Sequence, residues 1–224
     1  DGTGSFVPNT SVSYSPFRST GEADVFDGGA GSDLAVVQIG MVTGDAVFDG
    51  SIAGNVNAIT VNGGAFGSIT NVEQYHILSG SGDDTITGGD GNDQIEGGLG
   101  DDVLSGGAGD DRIYAGPLAL TVASGADIID GGDGIDWATI SNNNVVGDVA
   151  FNYNASGVTT VFVGGVAHGS VVRVERFSLI GGLGNDHITT GDGADSILGG
   201  AGNDVLISGD GNDIVSGGQV GSNG

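Results

Sequence analysis

The sequence predicts an all-β fold: a parallel β-roll, or solenoid, interrupted by two strand meanders. Three observations predict it. A nine-residue phrase recurs four times between Ser79 and Tyr114, as SGSGDDTIT, GGDGNDQIE, GGLGDDVLS and GGAGDDRIY. It returns four times between Gly181 and Ser216, as GGLGNDHIT, TGDGADSIL, GGAGNDVLI and SGDGNDIVS. The stretches between alternate apolar and polar residues in short runs set off by Gly and Asn, the pattern of strands joined by hairpins. A phrase repeated at a fixed short period marks a solenoid, whose units cannot bury a core alone.

The shared template is G-G-x-G-x-D-x-U-x, where U is a bulky aliphatic such as Ile86, Ile95, Leu104 or Ile113. The first six residues turn the chain tightly, because Gly, Asp and Asn tolerate the backbone angles a reversal needs. The last three form a short strand with U pointing inward, and two phrases complete one turn with a strand on each side. One aliphatic per strand buries too little to offset the entropy of ordering its phrase. Stacked turns therefore need another source of cohesion. The sixth position supplies a carboxylate without exception: Asp84, Asp93, Asp102 and Asp111, then Asp186, Asp195, Asp204 and Asp213. Carbonyls at positions two and four of an open glycine loop face the same way. Two stacked loops then offer about six oxygens, the number and kind that Ca²⁺ takes. Mg²⁺ fits less well, since a cage of protein oxygens alone would strip nearly all of its water. A disordered acidic linker of similar composition would have no reason to place an aliphatic two residues after each Asp.

The charge balance points the same way. The chain has 224 residues with 48 glycines, no cysteine, four basic residues, all arginine, and 29 acidic ones, for a formal charge of −25. Like charge at this density repels itself and excludes nucleic acid as a natural partner. About eight bound Ca²⁺ would carry roughly +16 and leave roughly −9, so a compact state is expected only with ions in place. Disulfides are excluded by composition. No apolar run reaches the length of a membrane span, and no basic n-region opens the chain. The last residues begin a further phrase at Gly217-Gly218, so the chain is expected to be an excerpt of a longer polypeptide.

Taken in order, residues 1–18 are polar, with Pro8 and Pro16, and read as a linker or an edge strand. A first module is expected over 19–121. It opens with a degenerate phrase from Ser19, with Asp24 and Phe26 at positions six and eight, and continues with Gly28 to Val36, where Asp33 is followed by a small U residue, Ala35. A meander follows over 37–78, with apolar runs at Ala46–Phe48, Ile59–Val61, Ile69–Val72 and Tyr75–Leu78 and a two-residue turn signal at Asn62-Gly63. Its larger side chains are expected to cover a thin roll. The four phrases of 79–114 form the first calcium roll. Ala115 to Ala123, with Pro117 and the run Leu118-Ala119-Leu120, reads as a loop bulging from one turn.

A second module is expected over 122–224. Gly125 and Asp127 hold positions four and six, GGDGIDWAT follows with Asp136, a meander spans 140–180, and the second calcium roll covers 181–216. The two modules are copies of one unit. Ala23 to Gly29 (ADVFDGG) matches Ala126 to Gly132 (ADIIDGG) at an offset of 103, and Gly44-Asp45 and Phe48 match Gly147-Asp148 and Phe151 at the same offset. Val72-Glu73 matches Val174-Glu175 at 102, and the small U residues Ala35 and Ala138 correspond.

From about residue 19 to 224 this arrangement resembles the repeats-in-toxin (RTX) family, the haemolysin-type calcium-binding repeats of proteins exported by Gram-negative bacteria. The strand-rich spacers Gly28 to Leu78 and Gly131 to Ile180, each returning to the roll through a Val-Glu pair, are similar to spacers of that family. The resemblance implies a right-handed roll with Ca²⁺ between turns, and export as an unfolded chain by a type I secretion system to the outside or the surface of a Gram-negative cell. It also implies a ligand set of position two and four carbonyls with the position six carboxylate. In the first roll these are Gly80, Gly82 and Asp84; Gly89, Gly91 and Asp93; Gly98, Gly100 and Asp102; and Gly107, Gly109 and Asp111. In the second they are Gly182, Gly184 and Asp186; Gly191, Gly193 and Asp195; Gly200, Gly202 and Asp204; and Gly209, Gly211 and Asp213. At the interrupted turns Gly29, Gly31 and Asp33, Gly125 and Asp127, and Gly132, Gly134 and Asp136 fit the same motif. Thr190 and Ser208 replace the first glycine, which the family does not use as a ligand. Asp24 follows Glu22 where a glycine belongs, so no regular site is expected there.

The sequence carries no metalloprotease helix motif and no nucleophile elbow, and its three histidines, His76, His168 and His187, are far apart. Carboxylates repeat too regularly for one acid/base pair to stand out. The expectation is a non-enzymatic calcium-binding module, a structural or interaction part of a large extracellular or cell-surface protein of adhesin, surface-layer or matrix type. The alternative is the calcium-dependent folding and secretion module of an extracellular protease, lipase or polysaccharide epimerase whose catalytic domain lies outside this chain. The partners expected are calcium ions, a cell-surface or matrix component, and further copies stacked end to end on the open ends of the roll.

Overall fold

A computed structural model describes residues 12–14, 24–40, 43–51, 56–117, 125–143, 145–154 and 158–218. The polar opening apart from Val12–Tyr14, Glu22 of the degenerate phrase, and the Leu118-Ala119-Leu120 run lie outside those residues. All regular structure among the described residues is strand, and none of it is a helix long and apolar enough to cross a membrane.

Each phrase delivers one short strand, and successive phrases deliver to opposite sheets. One sheet has nine strands, in spatial order Val12–Tyr14, Leu34–Gln38, Gln74–Leu78, Gln94–Glu96, Arg112–Pro117, Trp137–Ser141, Arg176–Gly182, Ser196–Gly200 and Ile214–Ser216. Every neighbouring pair in it is parallel. The other has twelve, in spatial order Asp24–Asp27, Gly64–Thr70, Asn57–Val61, Ala46–Asp49, Thr85–Gly89, Val103–Ala108, Asp127–Asp133, Val166–Val172, Thr159–Val163, Val149–Asn152, His187–Thr189 and Val205–Ile207. This is a parallel β-roll: two facing ladders wound by one chain, with the U side chains between them.

Register follows from the phrase. Leu104 lies beside Ile86 on one side and Ile129 on the other, and Ile113 beside Ile95 and Ala138. Ile86, Ile95, Leu104 and Ile113 are all at most 1% exposed. The alternate residues of these strands face outward, as the twofold strand period requires. His187 is one of them, exposed at the start of its strand.

The meanders do not lie over the roll. Each adds three strands to the twelve-stranded sheet, while its last run, Tyr75 to Leu78 in the first and Phe177 to Ile180 in the second, joins the nine-stranded one, so the expected cover is part of the walls. Ala46–Asp49, Asn57–Val61 and Gly64–Thr70 pair antiparallel with one another, while the outer two pair parallel with Thr85–Gly89 and Asp24–Asp27. The second meander repeats this arrangement. Edge strands need partners for their backbone groups, and insertion into the ladder satisfies them where a covering hairpin would leave a row of them open. Asn62 (φ 50°) and Gly63 (φ 72°) make the hairpin turn that the sequence signals, both in the left-handed region that a two-residue turn of this kind requires.

Three strands on one wall face a single step on the other, and aromatic side chains fill the space this opens. Phe48 and Tyr75 meet edge to face at 5.0 Å in the first copy, and Phe151 and Phe177 at 5.1 Å in the second. The small U residues follow from this. Ala35 lies beside Tyr75 in the ladder and Ala138 beside Phe177, so a larger aliphatic at either place would compete with a ring. The copies differ in polarity. Tyr75 accepts a hydrogen bond from Asn57 Nδ2 (2.9 Å) and donates one to the Val72 carbonyl (3.0 Å), whereas the second copy has Thr159 and Phe177.

Tyr75→Phe removes the acceptor for a buried amide, so it should lower the unfolding free energy by about 1–3 kcal/mol. Chemical denaturation in saturating calcium checks this, and an unchanged midpoint would contradict the role given to the hydroxyl.

Candidate metal centre

The sixth-position aspartates sit where each loop becomes a strand, and the winding stacks them on two edges. Asp84, Asp102 and Asp127 line the edge that enters the twelve-stranded sheet, as do Asp186 and Asp204. Asp33, Asp93, Asp111, Asp136, Asp195 and Asp213 line the edge that enters the nine-stranded one. Within each stack the contacts repeat. The N–H of Asp84 donates to Asp102 Oδ1 (2.9 Å), that of Asp102 to Asp127 Oδ1 (3.1 Å), that of Asp93 to Asp111 Oδ1 (2.7 Å) and that of Asp111 to Asp136 Oδ1 (2.9 Å). In the second copy Asp186 donates to Asp204 and Asp195 to Asp213, each at 3.0 Å. The meanders keep some predicted neighbours apart. Between Asp33 and Asp93, and between Asp136 and Asp195, stands a strand without a nonad, led by Tyr75 or Phe177, whose N–H groups donate to Asp93 (2.7 Å) and Asp195 (2.8 Å).

In most of these carboxylates one oxygen is thereby satisfied and the other is not; Asp84 differs, its Oδ2 accepting the Gly80 N–H (3.2 Å). Oδ2 of Asp33, Asp93, Asp102, Asp111, Asp136, Asp186, Asp195 and Asp204 is cut off from water and has no hydrogen-bond partner among the described residues. Oxygens of this kind demand a proton or a cation. The space beside most of them is kept open by first-position glycines; beside Asp195 that position is Thr190. A Cβ on Gly106 would lie 2.1 Å from Asp111 Oδ2 and 2.4 Å from the carbonyl oxygen of Gly131, so any side chain there would fill the site.

The glycines of positions two and four also stack. The carbonyl of Gly80 faces Gly98 and that of Gly82 faces Gly100, each 2.1 Å from where a Cβ would be. Gly89 and Gly107, Gly91 and Gly109, Gly107 and Gly132, Gly109 and Gly134, and Gly100 and Gly125 meet in the same way. So do Gly182 and Gly200, Gly184 and Gly202, Gly191 and Gly209, and Gly193 and Gly211. The carbonyls thus run along the roll axis, and that of Gly80 also accepts the N–H of Leu99 (3.0 Å). Gly29 and Gly31 are exposed at the start of the roll. Among the described residues no three His, Cys, Asp or Glu side chains gather as a metal cluster, so a cation here must draw on backbone carbonyls. An all-oxygen donor set suits a hard ion of the Ca²⁺ type and offers zinc neither imidazole nor thiolate.

The sequence profile of the RTX calcium-binding nonapeptide repeat (four copies) matches residues 19–35, 76–104, 121–138, 178–206 and 189–219. These nonads are RTX calcium-binding repeats. Comparison with curated proteins found no match. Gly106 to Tyr114 lies between matched segments and carries the same contacts as the RTX nonads around it.

The RTX template leaves position five open, but the structure gives that position a second ladder. Asp83 N–H donates to Asp45 Oδ1 (3.0 Å), Asp101 N–H to Asp83 Oδ1 (2.9 Å) and Ala126 N–H to Asp101 Oδ1 (2.9 Å). On the other edge Asp110 donates to Asn92 and Ile135 to Asp110, each at 3.0 Å. Asn185 with Asp148 (2.7 Å) and Asn203 with Asn185 (3.0 Å) repeat this in the second copy. The fifth-position carboxylate or amide accepts from the following turn, and the sixth-position carboxylate from the preceding one. Sequence reasoning missed this ladder, although Asp or Asn at the fifth position of nearly every phrase was the visible signal.

Burial governs the protonation of the RTX aspartates. It pushes the Asp93 and Asp102 carboxyls up to about 7 and those of Asp111, Asp127 and Asp136 up to about 6. The N–H donor to Oδ1 opposes this in each, and neighbouring carboxylates add to it. Asp84, Asp186 and Asp195 are raised by burial too. A carboxyl whose folded value lies above its unfolded one stabilises the fold when protonated, and that contribution is lost as pH rises through the folded value. In a chelator, strand content by far-UV circular dichroism should therefore increase as pH falls from about 8 to about 5. Calcium affinity should fall over the same interval, because ion and proton compete for the same oxygens. Strand content in chelator that stays level or falls would contradict the burial of these groups.

Proposed function

We propose that this chain is a calcium-folded structural and interaction module of a large extracellular or cell-surface protein, of adhesin, surface-layer or matrix type. RTX repeats bind calcium. The observation that carries the finer reading is the row of buried Oδ2 atoms without partners, six of which lie against a first-position glycine: those of Asp93, Asp102, Asp111, Asp136, Asp186 and Asp204. In this reading about eight ions lie between successive turns, held by sixth-position carboxylates and loop carbonyls. They supply the positive charge that a body of −25 lacks.

Folding and ion binding then share one free energy. Where calcium is scarce the chain stays open, in a form suited to export. Where calcium reaches about 10⁻⁴–10⁻³ M, the range of weak extracellular sites, it closes into the roll. Tandem duplication of a whole unit supports a structural role, because copies extend a surface without adding a new active centre.

Asp93→Ala and Asp111→Ala should each raise the calcium midpoint of folding roughly tenfold, about 1.4 kcal/mol of binding free energy. Asp49→Ala should leave it in place, since Asp49 is exposed and its carboxylate accepts from its neighbour Ser51. Calcium titration followed by circular dichroism reads all three, and equal shifts would point to bulk charge screening instead.

A further inference from the structure

We propose two further cation sites where the meanders return to the roll, each closed by a glutamate: Glu175 with Asp136, and Glu73 with Asp33. This rests on the calcium reading of the nonads and extends it to loops with no nonad. At these two rungs a three-residue corner replaces the six-residue loop. Arg173-Val174-Glu175 stands against Gly131 to Asp136, and Asn71-Val72-Glu73 against Gly28 to Asp33.

The corner reproduces the oxygens of the missing loop. The point where a Gly131 Cβ would sit lies 1.9 Å from the Arg173 carbonyl oxygen and 2.7 Å from Asp136 Oδ2. At Gly106 the corresponding neighbours are the Gly131 carbonyl and Asp111 Oδ2, so Arg173 supplies the oxygen that a first-position glycine supplies elsewhere. Asp136 is 0% exposed, and its Oδ2 has no partner. Glu175 Oε2 accepts the Asp136 N–H at 2.9 Å, the contact that Asp111 Oδ1 makes with Asp93. The extra methylene of Glu lets the carboxylate reach that place from a shorter corner. The Glu175 carbonyl lies 1.7 Å from the Cβ point of Gly193, where a fourth-position carbonyl sits in an ordinary loop, so one residue serves the rungs on both sides.

The first copy repeats the design with different side chains. Glu73 Oε2 accepts the Asp33 N–H at 2.9 Å, and Asp33 Oδ2 is again buried without a partner. The Asn71 carbonyl lies 2.1 Å from the Cβ point of Gly28. Arg173 and Asn71 both hold φ at 50°, which aims their carbonyls at the site and is uncommon for a residue with a side chain. Each is tied down by the equivalent aspartate. Arg173 forks onto Asp130 (2.7 and 2.6 Å), and Asn71 Nδ2 donates to Asp27 (2.8 Å). Two carboxylates and backbone carbonyls make an oxygen set for a divalent cation of calcium size.

Glu175→Gln and Glu73→Gln in the whole chain test this, since glutamine keeps an oxygen for the N–H and removes the charge. Bound calcium is measured by metal analysis after dialysis against saturating calcium, with circular dichroism as the check on folding. Each variant should hold one ion fewer than the parent and the double variant two fewer, while Glu96→Gln, on a strand apart from both corners, holds the parental number. Parental loading in both single variants would overturn the proposal. A parent chain that binds no calcium would overturn instead the reading on which the proposal rests. Should Glu175→Gln fail to regain the parental spectrum, the more exposed Glu73→Gln decides alone.

Discussion

A carboxylate oxygen shut away from water with no donor to meet it is the constraint on which this structure depends. An unpaired buried charge costs several kcal/mol, whereas burial of one Val, Leu or Ile side chain contributes about 1.5–3 kcal/mol. Most nonad strands bring one such aliphatic and one such aspartate. The apolar column therefore cannot hold the rungs together against the acidic one. Protonation relieves the conflict only in part at neutral pH, because burial pushes even the highest of these carboxyls, Asp93 and Asp102, no further than about 7. A divalent cation relieves it fully, and the first-position glycines keep open the place where it would sit.

Once the acidic columns are satisfied, the rest of the fold can vary. The nine-stranded wall advances one strand per turn throughout, while the twelve-stranded wall accepts a three-strand meander twice. The ladder continues through the antiparallel strands, and rings fill the extra width. The two copies solve this differently: Tyr75 with Asn57 in one, and Phe177 with Tyr153 and Phe151 in the other. What stays fixed is the corner, where Glu73 and Glu175 carry the acidic column across the gap in the nonads.

Much of this was legible in the sequence. The period of the phrase gave the roll, the U residues gave its core, and Asn62-Gly63 gave the hairpin turn. Sixth-position aspartates were legible because they never vary across the eight phrases. The location of the meanders was not. Alternation says which residues face inward and leaves open which strand they pair with, so joining the wall and covering it look alike. The fifth-position ladder escaped because its residues were read as turn formers, a property Asp and Asn show whether or not their side chains bond to the next rung. Glu73 and Glu175 stood out as markers of the duplication and of a spacer that returns to the roll, not as ligands. A three-residue corner has no periodicity of its own, and its role depends on how far a side chain must reach in space.

The most direct test of the central claim is the hydrodynamic radius of the chain at neutral pH, measured in chelator and in millimolar calcium. The account predicts an expanded chain in chelator that contracts to a compact particle when calcium is added. An equally compact particle under both conditions would contradict it.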